Sequence, residues 1–524
     1  MNFPASRRAV PVLAGLSGVM AIILNVSGVS IGDDGVGYQA IADSLKNGHG
    51  LGYFLEPRLT TWPPGWPTLM AGVSKITGLS TTQAAGVLNA LAAISVVLTA
   101  SRLLRRIVAD DRIRLGALAA IAIGADTMLL SHLLMTDLAF IAAALLVFER
   151  LARIDDEHPY RWVVSAGVAV WVAFSFRYVG VVLIGTGGLW LLVSNRPARK
   201  RLELAALFGA VSVIFPAVWM VRNHSIDGTL LGVRFSSARG PVQNLADIVS
   251  TLGNFALPGV LLGNKLWILV GLVAGLVVAV LTWRAFGRER RLRSISGLRD
   301  SLGTTSGLLL MHVGIYTVYI WYVRSTTALN KIDYRLLNPI YLPMVLLLAA
   351  LVSRLVVLGR LPGATDQDRA WATRARLAFT AWVALSIVVG VAMVPYFASG
   401  PRLFDGNYAS AEFASVRANV ALQELPRGCF TYSNLPNALY PAVGSHWSPA
   451  RTGMESDQTV DDVARLTRQL DTATGPKRCL VWIDLPPTYG NLLTLAQLRQ
   501  HFELATLSRH DDVTVYEISG STSR

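Results

Sequence analysis

The feature that most constrains this chain is a series of long apolar stretches almost free of charge. Ala9–Val29, Gly86–Ala100, Val163–Phe174, Val179–Val193, Leu204–Val221, Leu266–Thr282, Leu308–Val323, Leu336–Val352 and Leu377–Val394 are the clearest. A helix crosses the hydrocarbon core with about 20 mostly apolar residues, fewer where its ends are polar. Two shorter runs, Leu115–Leu130 and Leu138–Phe148, bring the expected total to about eleven spans on the same measure. Only 15% of the residues are charged, where a soluble domain carries about 25%. Lipid is therefore the expected solvent for most of the chain. The first run follows Ser6-Arg7-Arg8 and could pass for a signal peptide. It exceeds the usual h-region and no A-x-A site follows, so it reads as a retained span.

The net charge of +14 would suggest nucleic acid in a soluble protein. Here the excess collects in alternate loops, at Arg7 and Arg8, Arg102–Arg114, Arg150–Arg161, Arg196–Arg201, Arg284–Arg299 and Arg354–Arg376. The positive-inside rule makes those loops cytoplasmic. The expected topology is a multi-pass plasma (inner) membrane protein with its N-terminus inside and its C-terminus outside. No nucleic-acid motif is present, and the bilayer is the partner that the basic loops face.

From about Ser399 the pattern changes. Strand-like runs (Cys429–Tyr432, Cys479–Ile483, Val513–Ile518) alternate with helix-like ones (Ala411–Leu425, Thr459–Leu470, Leu493–Phe502). The alternation predicts a small extracytoplasmic α/β domain over 399–524, after an all-α polytopic membrane domain over 1–398. Cys429 and Cys479 each open a strand-like run. An oxidising compartment permits a bridge between them, and two buried thiols are the other option.

The external segments carry the specific signals. The first spans residues 30–66 and holds Gly32-Asp33-Asp34-Gly35-Val36-Gly37-Tyr38, a helical pattern over Gln39–Lys46, the breaker Asn47-Gly48-His49-Gly50, and Trp62-Pro63-Pro64-Gly65-Trp66-Pro67. Glycines around Asp33 and Asp34 read as a turn, and three prolines in six residues argue against a regular helix there. Asp33, Asp34, Asp137, Arg177, Arg222, Lys265, Lys331, Asp333 and Arg335 all lie near the outer face. A charge at the bilayer centre costs about 2.5–3.5 kcal/mol, so such groups face a polar cavity or one another. Together they place acids and bases on one side, as a reaction at an anionic lipid headgroup requires.

Several of these motifs resemble the GT-C glycosyltransferases, in particular the group with protein O-mannosyltransferases, aminoarabinose lipid A transferases and RgtA-like enzymes. They are Asp34-Gly35-Val36-Gly37-Tyr38, Gly48-His49-Gly50-Leu51, Pro63-Pro64-Gly65-Trp66-Pro67, Met135-Thr136-Asp137-Leu138, Arg177-Tyr178-Val179-Gly180, Pro216–Asn223 and Tyr334-Arg335-Leu336-Leu337-Asn338-Pro339. They occur in order over roughly residues 9–400. The resemblance implies a polyprenyl phosphate monosaccharide as donor, and inverting transfer to a glycan, lipid or protein acceptor outside the cytoplasm. It implies that Asp34 is the catalytic base. It also implies that Arg335, Arg177 and Arg222 meet the phosphate, with Asp33, Tyr38 and Asp137 as further substrate-binding candidates. The family commonly follows the aspartate with Glu, whereas this chain has Gly35. No cofactor is required by the sequence, and a divalent cation is one option. Three other classes compete: a transporter or flippase of a lipid-linked sugar, a glycan polymerase or ligase, and a non-catalytic scaffold that carries the outer domain. The C-terminal domain resembles no assigned family.

Overall fold

The computed structural model describes residues 4–232, 234, 236–237, 239–259, 263–287, 295–401, 407–422, 425–426, 428–449, 462–471, 477–486 and 492–521. Chain order begins with α1 (Pro4–Ile23), α2 (Asp33–Lys46), α3 (Gly65–Thr77), α4 (Thr81–Ile107), α5 (Asp111–Ile123), α6 (Ala125–His132), α7 (Asp137–Ala152) and α8 (Pro159–Phe176). A 3-10 turn, Tyr178–Gly180, leads into α9 (Val181–Val193). Then come α10 (Ala198–Asp227), α11 (Pro241–Ala256), α12 (Asn264–Phe286), α13 (Ile295–Leu302), α14 (Thr305–Thr326), α15 (Tyr334–Gly359) and α16 (Asp366–Ala398).

Each apolar run of the sequence overlaps one of these helices, with α5 and α6 sharing one run and Ala9–Val29 outlasting α1 by six residues. By length and composition, seven of the described helices could cross a membrane: α4, α5 with α6, α10, α12, α14, α15 and α16. Arg8–Ile23 and Tyr178–Val193 are shorter apolar helices. Polar caps fix where several begin. Ser80 and Gln83 form a capping box on α4, Thr365 and Asp368 one on α16, and Asp110 and Asp333 cap α5 and α15. Each such cap is worth about 1 kcal/mol. The break between α5 and α6 falls at Gly124, where α16 crosses at Gly390. A Cβ on Gly390 would lie 2.1 Å from the Ile123 carbonyl oxygen, so only glycine lets the backbones approach this closely.

Two local expectations for the first external segment are corrected. Asp33 and Asp34 lie in the first turn of α2, which starts at Asp33, not in an open turn before it. Their charges suit the positive end of the helix dipole. The proline-rich stretch does begin a helix: Pro64 is the N-cap of α3 and Pro67 sits in its first turn. Proline is tolerated there because that N–H has no intrahelical partner.

After α16 come α17 (Ala411–Leu422), β1 (Phe430–Ser433), α18 (Pro436–Leu439), β2 (His446–Trp447), α19 (Asp462–Asp471), β3 (Arg478–Ile483), α20 (Leu495–His501), β4 (Phe502–His510) and β5 (Val513–Ser521). The sheet order is β2-β1-β3-β5-β4, parallel across β2, β1 and β3 and antiparallel thereafter. The three expected strands and three expected helices are all present, except that residues 423–424 and 459–461 lie outside the described ones. Strand alternation splits the sheet. Val481, Ile483, Val513 and Val515 pack into the core that also holds the membrane helices. Leu480, Tyr516 and Ile518 face a second core with Leu466, Leu498 and Phe502. Cys429 and Cys479 are joined by a disulfide across Cα atoms 5.9 Å apart.

Candidate active site

The site forms where the chain before α2 docks on the turn between α6 and α7. Ser30 N donates to the His132 carbonyl at 2.8 Å, and Leu134 N donates to the Ser30 carbonyl at 2.9 Å. Asn89, wholly buried in α4, holds the same turn from the other side by donating to the Ser131 and Leu133 carbonyls. This fixes the N-terminal turns of α2 and α7 side by side. The N-terminus of α15 closes the third side. Asp333 caps that helix by accepting from Arg335 N at 3.0 Å and Leu336 N at 3.1 Å. Three helix N-termini thus converge, an arrangement that favours an anion.

The side chains form a chain of alternating charge. Arg335 Nη2 lies 3.5 Å from Asp34 Oδ2 and 3.3 Å from Met135 Sδ, while its Nε lies 3.8 Å from Asp137 Oδ2. Arg177 Nη1 is in direct ion pair with Asp137 Oδ1. Asp137 is only 2% exposed, whereas 38% of the Asp34 side chain is exposed. The acid that is open to a substrate is therefore Asp34, and Asp137 is the buried counter-ion of two arginines. Asp137 Oδ2 and Arg335 Nε are both buried and make no hydrogen bond within the protein, so they face each other as an ion pair at 3.8 Å.

Tyr38, one turn after Asp34, is buried against Asp34, Arg177, Thr136 and Asp137. Burial, and then Asp34 beside it, hold its hydroxyl above the ordinary tyrosine range. It therefore stays protonated.

Two candidates have other neighbours. Asp33 faces the C-terminal part of the chain, and its Oδ1 accepts from Tyr408 OH and Asn437 Nδ2, each at 2.8 Å. Arg222 donates to the Leu59 carbonyl at 2.6 Å and stacks its guanidinium 4.3 Å from the Trp219 ring centroid. Around it, Tyr178 OH donates to the Thr60 carbonyl at 2.6 Å, and Asn223 Nδ2 and Trp219 Nε1 each reach Tyr178 OH at 3.0 Å. Those motif residues pin the first external segment onto α10. His132 pairs with Asn25 and stacks on Phe397 at 4.1 Å.

The glycine after Asp34 has a steric cause. A Cβ there would lie 3.1 Å from the Leu134 carbonyl oxygen and 3.2 Å from Ile31 Cγ2, so a larger residue would fit only if these neighbours gave way by a few tenths of an ångström. Among the described residues no group of three or more His, Cys, Asp or Glu is placed to hold a metal. Asp34 and Asp137 both sit beside arginine. The steps proposed below are carried by these side chains.

No protein-family model matches the chain, and no curated protein matches it by sequence. Solved structures do match. ArnT from Cupriavidus metallidurans, bound to undecaprenyl phosphate, aligns with a TM-score of 0.60 at 15% identity, over 97% of each chain. The fold is that of the GT-C glycosyltransferases. The mycobacterial arabinofuranosyltransferase AftD aligns at TM-score 0.54 and 15% identity, over 99% of this chain and 40% of its own. The oligosaccharyltransferase of Archaeoglobus fulgidus aligns at 0.51 and 13%, over 83% of this chain and 62% of its own. With this fold and seven helices long and apolar enough to cross a bilayer, the chain is an integral membrane protein; it spans less than two thirds of the length of the latter two structures.

Proposed function

We propose that this protein is a membrane glycosyltransferase that moves a monosaccharide from a polyprenyl phosphate donor to an extracytoplasmic acceptor with inversion. The observation that carries this reading is the exposed carboxylate of Asp34 set 3.5 Å from Arg335, itself braced by buried Asp137. The acceptor hydroxyl oxygen attacks the anomeric carbon, and Asp34 takes its proton. The bond from that carbon to the phosphate oxygen breaks, and polyprenyl phosphate leaves with the electron pair. The leaving group is already an anion, so one base suffices, and a general base contributes about 10²–10⁴-fold. Arg335 and Arg177 meet the growing negative charge on the phosphate, helped by the three helix N-termini. Arginine's planar fork suits phosphate oxygens. Asp137 orients both arginines, Tyr38 hydrogen-bonds the bound sugar or phosphate, and Arg222 acts indirectly by holding the external segment. Residues 1–398 form the catalytic domain and residues 399–524 the outer one. The site and the C-terminal domain lie outside the cytoplasm, as the basic loops imply.

The test is turnover of a panel of polyprenyl phosphate sugars by the purified full chain in detergent. Release of free or transferred sugar from one donor is the expected result. Movement of intact donor across proteoliposomes, with no sugar released from any member, would overturn the reading in favour of a transporter.

A further inference from the structure

Helix α2 has a second chemically distinctive end. Asp43 lies nine residues beyond Asp34 on the same helix, about 13 Å along its axis at 1.5 Å per residue. Beside it opens a cleft of about 290 Å³ walled by Asp43, Asn47, His49, Tyr53, Phe54 and Tyr440. Tyr440 comes from the C-terminal part of the chain, so the cleft exists only where that part meets the first external segment.

A line of aromatic rings joins this cleft to the candidate active site. Ring centroids are 5.5 Å apart from Tyr38 to Trp62, 5.6 Å from Trp62 to Tyr53, 5.3 Å from Tyr53 to Phe54 and 5.5 Å from Phe54 to Tyr440. Tyr38 is buried, but the other four keep part of their surface open. Polar groups edge the line. Asp43 accepts from Thr81 Oγ1 at 2.7 Å and from Tyr440 OH at 2.5 Å. A carboxylate offers about four lone-pair sites, so capacity remains after those two bonds. Burial, and then the bond to Asp43, hold the Tyr440 hydroxyl above its ordinary range, so it remains a donor. Asn47 and His49 are exposed at the mouth.

Aromatic faces flanked by a few directed polar groups suit one ligand chemistry above others. A pyranose or furanose presents an apolar C–H face and a rim of hydroxyls, and it matches rings on one side and carboxylate, amide and imidazole on the other. We propose that this cleft is an acceptor subsite for a glycan, which lies along the aromatic line with its reacting hydroxyl at Asp34. The proposal rests on the transferase reading above, and it narrows the acceptor from glycan, lipid or protein to an extended saccharide. It also gives the C-terminal part a task, since Tyr440 completes the site.

The test is binding of the purified full chain to an array of short oligosaccharides, followed by saturation-transfer NMR on any that bind. Two variants are compared with wild type. Phe54→Ala removes one ring face, and Asn47→Trp fills the mouth from the exposed wall position 47 while leaving the aromatic rings in place. A buried Phe face is worth enough that Phe54→Ala should weaken binding by about tenfold or more, and Asn47→Trp should abolish the NMR transfer. Oligosaccharides that bind both variants as they bind wild type would overturn the proposal, as would an array on which nothing binds. Asp34→Asn separates the two readings. If it still turns over donor while glycan binding stays sensitive to Asn47→Trp, the catalytic assignment fails and the subsite stands. If it loses turnover and the array stays blank, the reverse holds.

Discussion

Replacing Asp137 by Asn removes one charge from the centre of the site and little volume. The carboxylate is 2% exposed, pairs directly with Arg177, and lies 3.8 Å from Arg335 Nε. The variant leaves two guanidiniums with no buried anion between them. Removing one partner of a buried pair costs about 3–5 kcal/mol, because the remaining charge is uncompensated. A loss at the lower end, spread over the unfolding entropy of 524 residues, should bring the melting midpoint down by roughly 3 °C. The deficit has a particular remedy if these arginines are a phosphate site. An anionic ligand would replace the missing charge, and a ligand at a hundred times its Kd stabilises by about 2.7 kcal/mol. The assay is a tryptophan-fluorescence melt of the purified protein in detergent, with and without undecaprenyl phosphate. Asp137→Asn should melt low alone and recover most of the difference with the lipid phosphate. Arg177→Ala should also melt low but recover little, because the phosphate would then meet Asp137 without its direct counter-ion. A wild-type midpoint for Asp137→Asn, or a deficit that the lipid phosphate leaves untouched, would refute this reasoning.

Other outcomes follow from the same geometry. Arg335→Ala should raise the donor KM far more than the acceptor KM, and equal effects on both would remove Arg335 from the phosphate. Tyr408→Phe combined with Asn437→Ala removes two hydrogen bonds to Asp33 Oδ1, so α2 should be held less firmly; kcat should fall while donor KM holds, and an unchanged kcat would make the contact incidental. The disulfide closes a sequence separation of 50 residues, worth about 4 kcal/mol on the loop-entropy estimate. Cys429→Ser should therefore lower the unfolding midpoint of the C-terminal part measured by limited proteolysis, and equal protease resistance in both proteins would count against that estimate.

Seven membrane-length helices were legible because each needs only a run of apolar residues, while the count of about eleven is not reproduced: the remaining expected spans fall on helices that do not meet the same measure of length and composition. The strands at Phe430, Arg478 and Val513 were legible from alternation. The paired strand β4 was not, because Glu503, Ala505, Thr506 and Leu507 face solvent and break the apolar pattern. Helix α11 was missed inside a Gly- and Ser-rich segment. Its signals were present in Gly240-Pro241 with Gln243 as a capping pair, and in Ile248, Leu252 and Phe255 at helical spacing. Proline misled at α3, where the position within the first turn mattered more than the count. The acid and arginine candidates were found because charges beside a bilayer are costly, and Asp34, Asp137, Arg177 and Arg335 do come together. The partners of Asp33 were beyond reach: Tyr408 and Asn437 lie 375 and 404 positions away, and nothing local marks them. The same holds for Arg222, whose distant partner is a backbone carbonyl in the loop at Leu59.

The central claim is that Asp34 takes the acceptor's proton. The measurement that tests it most directly is single-turnover transfer from the polyprenyl phosphate sugar that the wild type uses, with Asp34→Asn and Asp33→Asn alongside. Asp34→Asn should bind donor as tightly as wild type and react about 10²–10⁴-fold more slowly, while Asp33→Asn keeps most of its rate. Transfer at the wild-type rate by Asp34→Asn would contradict it.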